Sequence, residues 1–159
     1  MPAIKLYIWK TTLLAALLLI FFSCKEEKAS KDIANPSEKI VSIDITTEGG
    51  NLGYFRNIQV NKDSVSSIQR QADTDHLNKS HKRAITSTEW NKLISEIDLS
   101  SVSKIKNGPS YQPFDGIDDI WEIKTSTRTY RVTNGKKDTD NYKSLEAVYS
   151  QLEELIQKK

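Results

Sequence analysis

Residues 117–135 read IDDIWEIKTSTRTYRVTNG. Two alternating stretches flank Ser126-Thr127: Ile117 to Thr125, with Trp121 and Ile123 on one face, and Arg128 to Thr133, with Tyr130 and Val132 on one face. Period-two alternation of large apolar side chains, broken by two small hydroxyl residues, predicts a β-hairpin. Asn134-Gly135 then forms a turn. From about Asn141 to Gln157 the period changes: Leu145, Val148, Tyr149, Leu152, Leu155 and Ile156 make a continuous stripe on one side of a helix. Lys158 and Lys159 lie at its C-terminal end, where positive charge suits the helix dipole. A stripe that wide needs an apolar surface to cover it, and the inner face of a sheet is at hand.

Working back from the hairpin, Gly108-Pro109, Pro113 and Asp115-Gly116 punctuate residues 99–118. This reads as an ordered loop with Tyr111 and Phe114 available to pin it. Before it, Trp90, Leu93, Ile94 and Ile97 recur at helical spacing, and Thr86 with Glu89 forms a possible capping box; a helix from about Ser87 to Asp98 is expected. Strands are expected near 40–47, with Val41, Ile43 and Ile45 on one side, and over 52–60, with Tyr54, Arg56, Ile58 and Val60 on one side. A third strand is expected near 65–69. Gly49, Gly50, Asn51 and Gly53 mark a turn with positive φ. Residues 70–82 read as an exposed polar connection and 83–86 as a short edge strand. Neither helix joins a recognisable pair of adjacent parallel strands. The expected fold is α+β, a mainly antiparallel β-sheet packed against two amphipathic helices.

The first 24 residues carry different information. Lys5 and Lys10 precede an apolar run from Leu13 to Phe22, followed by Ser23 and the sole cysteine, Cys24. A basic start, a short apolar core and a small residue form a secretory signal, and the run is too short to span a bilayer, which takes roughly 20 apolar residues. One cysteine allows no internal disulfide. Phe21-Phe22-Ser23-Cys24 resembles the lipobox of bacterial lipoproteins, in the variant with phenylalanine three places before the cysteine that is common in Bacteroidetes. That resemblance implies cleavage before Cys24, diacylglycerol on its sulfur and usually an acyl chain on its new amino group. Two or more chains anchor firmly, at about 0.8 kcal/mol per buried CH₂.

The domain reading follows: residues 1–23 signal peptide, 24–38 lipidated cysteine and flexible tether, 39–159 a single α+β domain. Residues 25–38 are charged and nearly free of large apolar side chains, so they cannot offset their ordering entropy. Their reach is at most about 45–50 Å. Lys25-Glu26-Glu27 resembles a surface-export signal of some Bacteroidetes lipoproteins. The expected location is the outer membrane, lipid-anchored, with the body surface-exposed or facing the periplasm. Removing Lys5 and Lys10 with the signal lowers Lys plus Arg from 23 to 21, equal to the 21 acidic residues. A neutral mature chain argues against nucleic acid as partner.

No pattern establishes catalysis. His76 and His81, the only histidines, stand five apart and share no helical face; with Asp73 and Asp75 they read as a solvated loop rather than a metal site. Asp115, Asp118, Asp119 and Glu122 cluster around Gly116, where acid/base or calcium chemistry competes with ordinary turn structure. The 49–53 glycines lack the lysine and Ser/Thr of a P-loop. Trp121 and Tyr130 read as core. Tyr111 and Phe114, with Arg128 and Arg131, are the candidate binding surface.

Taken together, the lipobox, the turn at Gly49, Gly50 and Gly53, the helix with Glu89, Trp90 and Leu93, Asp115-Gly116, the hairpin and the C-terminal helix make the chain resemble the small lipoproteins of Bacteroidetes. The resemblance implies an envelope location and brings no catalytic residues and no cofactor. The leading expectation is a non-enzymatic domain binding a protein or other envelope ligand. The alternatives are an envelope hydrolase using the acidic cluster, favoured if a pocket brings Asp115 or Asp119 close to His76 or His81, and a structural subunit of a surface complex, favoured by a long unpaired sheet edge.

Overall fold

The computed structural model describes residues 38–72 and 78–158. The signal, Cys24, nearly all of the tether, His76, Asp73 and Asp75 lie outside them.

Six strands form one sheet: β1 Ile40–Gly49, β2 Tyr54–Asn61, β3 Ser64–Arg70, β4 Lys79–Ala84, β5 Ile117–Thr125 and β6 Thr129–Thr133. Their order is β4-β3-β2-β1-β5-β6, and every neighbouring pair is antiparallel. β1 to β4 are therefore a meander, and β5 returns along the free side of β1. Three helices pack on the sheet: α1 Ser87–Ser95, α2 Leu99–Val102 and α3 Thr139–Gln157. The α+β expectation is borne out.

Strand alternation sends Ile43 and Ile45, Ile58 and Val60, Val65, Trp121 and Ile123, and Tyr130 and Val132 into one buried layer. From the helices come Trp90, Leu93, Val102, Tyr142, Leu145, Val148, Leu152 and Leu155. The opposite face of the sheet carries Asp44, Thr46, Asn57, Gln59 and Glu122, in keeping with one packed and one solvated face. Thr86 caps α1 in a complete capping box with Glu89. Arg83 ties three elements together: its Nε donates to the Leu155 carbonyl at 2.8 Å and its Nη2 to Glu89 at 3.0 Å.

Local details differ from the sequence reading. Val41 is exposed rather than in line with Ile43, because the β1–β5 register shifts between Ile40 and Ser42. β4 begins at Lys79, inside the stretch read as a connection, because β3 supplies a hydrogen-bonding edge even to polar residues. The first helix ends at Ser95, and Asp98 caps a separate short one by accepting from the Ser100 N–H at 2.9 Å. The sheet edges are short. β4 has six residues, with Lys79 and Lys82 exposed on it, and β6 has five. At β6 the Thr133 N–H donates to Asn107 and its carbonyl accepts from Gly108. Short, charged or occupied edges resist strand addition.

Candidate functional site

Two turns meet at one end of the sheet. The β1–β2 turn places Gly49 opposite Ile117, and the Gly50 N–H donates to the Gly116 carbonyl at 2.9 Å. The approach is close enough that a Cβ on Gly49 would stand 2.4 Å from that oxygen. Gly49 also holds φ at 123°, so both space and backbone exclude a side chain.

The second turn runs from Tyr111 to Gly116. Pro113 sits early in a 3₁₀ turn over Gln112–Phe114, and Asp115 closes it in the left-handed region at φ 55°. The Tyr111 carbonyl accepts from both Phe114 and Gly116. Gly116 packs so tightly on Tyr111 that a Cβ would lie 2.4 Å from the tyrosine Cβ. Asp118, 4 % exposed, organises the base of the turn. Its carboxylate accepts from the Ser110 hydroxyl at 2.6 Å, the Tyr111 N–H at 2.7 Å and the Asn134 side-chain amide at 2.8 Å. Burial pushes this carboxyl up, but the three donors outweigh it and hold it below the usual range. Asn134, itself left-handed at φ 50°, also donates to the Pro109 carbonyl and accepts from the Asp119 N–H.

The loop is thus held from beneath, and what it holds out is apolar. Phe114 is 85 % exposed, Leu52 of the neighbouring turn 53 % and Ile117 at the start of β5 47 %. Single exposed apolar residues are ordinary, whereas here three stand on adjoining, hydrogen-bonded turns.

The four candidate binding residues do not form one patch. Tyr111 and Phe114 share the tip, yet Tyr111 is half-buried, with the Lys137 ammonium 5.9 Å from its ring centre. Arg131 lies on the solvated sheet face, paired with Glu122. Arg128 stands at the other end of the sheet, 4.6 Å over the Tyr130 ring and 3.3 Å from Glu38.

That far end is where the chain comes into the domain. The Ser126 N–H donates to the Lys39 carbonyl at 2.8 Å. The Glu38 carboxylate accepts from the hydroxyls of Thr125, Thr127 and Tyr130. The hydroxyls of Thr125 and then Thr127 are the main reason its pKa falls to about 2, with Tyr130 and Arg128 adding to them.

The acidic cluster near Gly116 is dispersed by strand alternation. Asp118 is sequestered under the loop, Asp119 pairs with Thr47 and Lys136 on the helix side, and Glu122 pairs with Arg131 on the solvated side. His81 is on β4, four strands across from β5. The arrangement of His81 beside Asp115 or Asp119 that would favour hydrolysis is therefore not formed. Among the described residues no group of three or more His, Cys, Asp or Glu is placed to hold a metal ion, and no helix is long and apolar enough to cross a membrane.

The chain matches no protein-family model. It likewise matches none of the curated proteins compared with it.

Sequence reasoning missed Leu52, Ile117 and the Asp118–Asn134 bracket. One signal was available for the first: a leucine among Gly49, Gly50, Asn51 and Gly53 is an apolar residue where a turn needs none. No one-dimensional pattern pairs Asp118 with Asn134.

Proposed function

We propose that this protein is a lipid-anchored outer-membrane protein whose folded part is a non-enzymatic binding module. Its partner is a protein, gripped through the Phe114 tip. The observation that carries this reading is the locked loop, which leaves a phenylalanine 85 % exposed on a backbone braced by a buried carboxylate. A rigid aromatic anchor gives large contact area with little ordering cost on binding. Its position supports the same reading. β1 runs ten residues from the Glu38 end to the Gly49 turn, roughly 30 Å at strand rise. The tip thus lies at the end of the sheet opposite the one at which residues 38 and 39 enter it. The lipid anchor itself rests on the apolar run that ends at Cys24.

Two measurements test the two halves separately. Mass spectrometry of the native N-terminal peptide should find acyl chains on Cys24; an unmodified sulfur would remove the anchor and leave the binding surface standing. A photocrosslinking side chain at 114 or 117, in the native envelope, should capture a protein that the same probe at Thr127 does not. Phe114→Ala should abolish capture from 117. Equal capture from 114 and 127, or crosslinks to lipid from 114, would overturn the assigned surface.

A further inference from the structure

Asn-Gly occurs twice in the sequence, at Asn107-Gly108 and Asn134-Gly135. It is the dipeptide in which asparagine converts to aspartate most readily, because glycine has no side chain to keep its nitrogen away from the preceding amide carbon. The two copies meet in the fold: Gly108 seats so closely on Asn134 that a Cβ on it would stand 2.7 Å from the Asn134 carbonyl oxygen. Their surroundings differ. Asn134 is 8 % exposed, and both polar atoms of its side-chain amide are held. Nδ2 donates to the Pro109 carbonyl at 2.7 Å and to Asp118 at 2.8 Å, and Oδ1 accepts from the Asp119 N–H at 2.9 Å. Asn107 is exposed. Its Oδ1 accepts from the Thr133 N–H at 2.9 Å, whereas its Nδ2 has no hydrogen-bond partner among the described residues.

At the exposed copy one backbone bond restrains the nitrogen that would react, from the Gly108 N–H to the Thr133 carbonyl at 2.9 Å. It lies on the outer side of β6, a five-residue edge strand, where local opening costs far less than unfolding. The Thr133 N–H that donates to Oδ1 polarises the carbonyl to be attacked, and the free Nδ2 can leave directly into solvent. Freeing the Asn134 amide instead breaks three hydrogen bonds in a buried setting.

We propose that Asn107-Gly108 is a site of spontaneous deamidation in the folded protein, that Asn134-Gly135 is not, and that the isoaspartyl product at 107 uncovers the edge of β6. Base removes the Gly108 amide proton, and the nitrogen attacks Asn107 Cγ. As the new C–N bond forms, the Cγ–Nδ2 bond breaks and ammonia leaves, giving a succinimide. Water opens that ring at either carbonyl, so the net reaction consumes one water and releases one ammonia. Breaking the bond to Cγ returns a normal aspartate, which keeps an acceptor for the Thr133 N–H. Breaking the bond to the backbone carbonyl carbon reroutes the chain through Cγ and adds one methylene to the main chain before Gly108. Gly108 then loses both its seat on Asn134 and its bond to Thr133, whose carbonyl is left open on a sheet edge. The site is separate from the Phe114 tip and stands whether or not that tip grips a partner.

The test incubates the full chain in mildly alkaline heavy-oxygen water and digests it in ordinary water, so that only conversion during the incubation carries the label. Peptide mass spectrometry should find label at 107 at least about tenfold faster than at 134. In urea, where only the shared dipeptide matters, the two sites should converge. Hydrogen exchange at the Gly108 and Thr133 amides should quicken in the separated isoaspartyl form. In Asn107→Asp, which has the normal main chain, it should stay slow. Equal labelling of the two sites in the fold, faster labelling of 134, or no label at 107 before unfolding would overturn the site. Unchanged exchange in the isoaspartyl form would overturn the uncovered edge. Phe114→Ala should leave the labelling unaltered, which separates failure here from failure at the tip.

Discussion

At one end of the sheet the Glu38 carboxylate gathers three hydroxyls and an arginine; at the other, Asp118 gathers a hydroxyl, a backbone N–H and an amide. Both ends use an acceptor-only group to pin backbone that has no strand to join. They differ in what the pinning leaves outside. At the Glu38 end the ring nearby, Tyr130, is buried beneath Arg128, and Val41 is the one large apolar side chain left exposed there among the described residues. At the Asp118 end Phe114, Leu52 and Ile117 stay in solvent. A carboxylate that satisfies every neighbour closes a surface, whereas one that braces a turn from beneath displays whatever the turn carries.

That contrast breaks most readily at Asp118. Asp118→Ala orphans three donors in a buried setting, so unfolding in urea should show a loss of about 3 kcal/mol, and hydrogen exchange at the Tyr111 and Gly116 amides should quicken. Unchanged exchange would mean that the tip is braced by something else.

Glu38→Gln should cost less at neutral pH, because the amide keeps one acceptor oxygen, and its larger effect is on the acid limb. Glu38, Glu89 and Asp98 each titrate at about 2 in the fold, Glu89 chiefly through Arg83 and Asp98 chiefly through Ser100. Folded values below unfolded ones give stabilisation that is complete above about pH 5 and drains as the pH falls toward about 2. Wild-type stability should therefore decline across that window. Glu38→Gln should decline less steeply, with Glu89 and Asp98 supplying the slope that remains.

Phe114→Ala should sharpen the comparison by changing little: stability within about 0.5 kcal/mol of wild type, with partner capture lost. Smaller still, Arg131→Ala removes an exposed pair with Glu122 and should shift stability by less than about 0.5 kcal/mol, with capture intact. A loss of capture in Arg131→Ala would extend the binding surface onto the solvated sheet face.

Much of the fold was legible because burial follows local period. Trp121, Ile123, Tyr130 and Val132 alternate, Leu145 through Ile156 recur on one helical face, and Thr86 with Glu89 spells a cap, each within a few residues of chain. β4 was legible only over 83–84, within the short edge strand expected at 83–86; Lys79-Ser-His-Lys carries no apolar alternation, and the vacant edge of β3 makes it a strand. The candidate site was half legible. Phe114 stood out beside Pro113 and Asp115-Gly116, but Arg128 and Arg131 were grouped with it by nearness in sequence, and β5 and β6 carry them away from the tip.

The α+β class, the buried layer and the hairpin-plus-helix core follow from side-chain periodicity, which acts over one or two turns of chain and needs no distant partner. Which carboxylate is buried, which phenylalanine is left in water, and which asparagine is shielded depend on residues far apart in the chain. Those were decided when β5 came alongside β1, because hydrogen bonds and ring contacts are short-ranged in space whatever their separation in sequence.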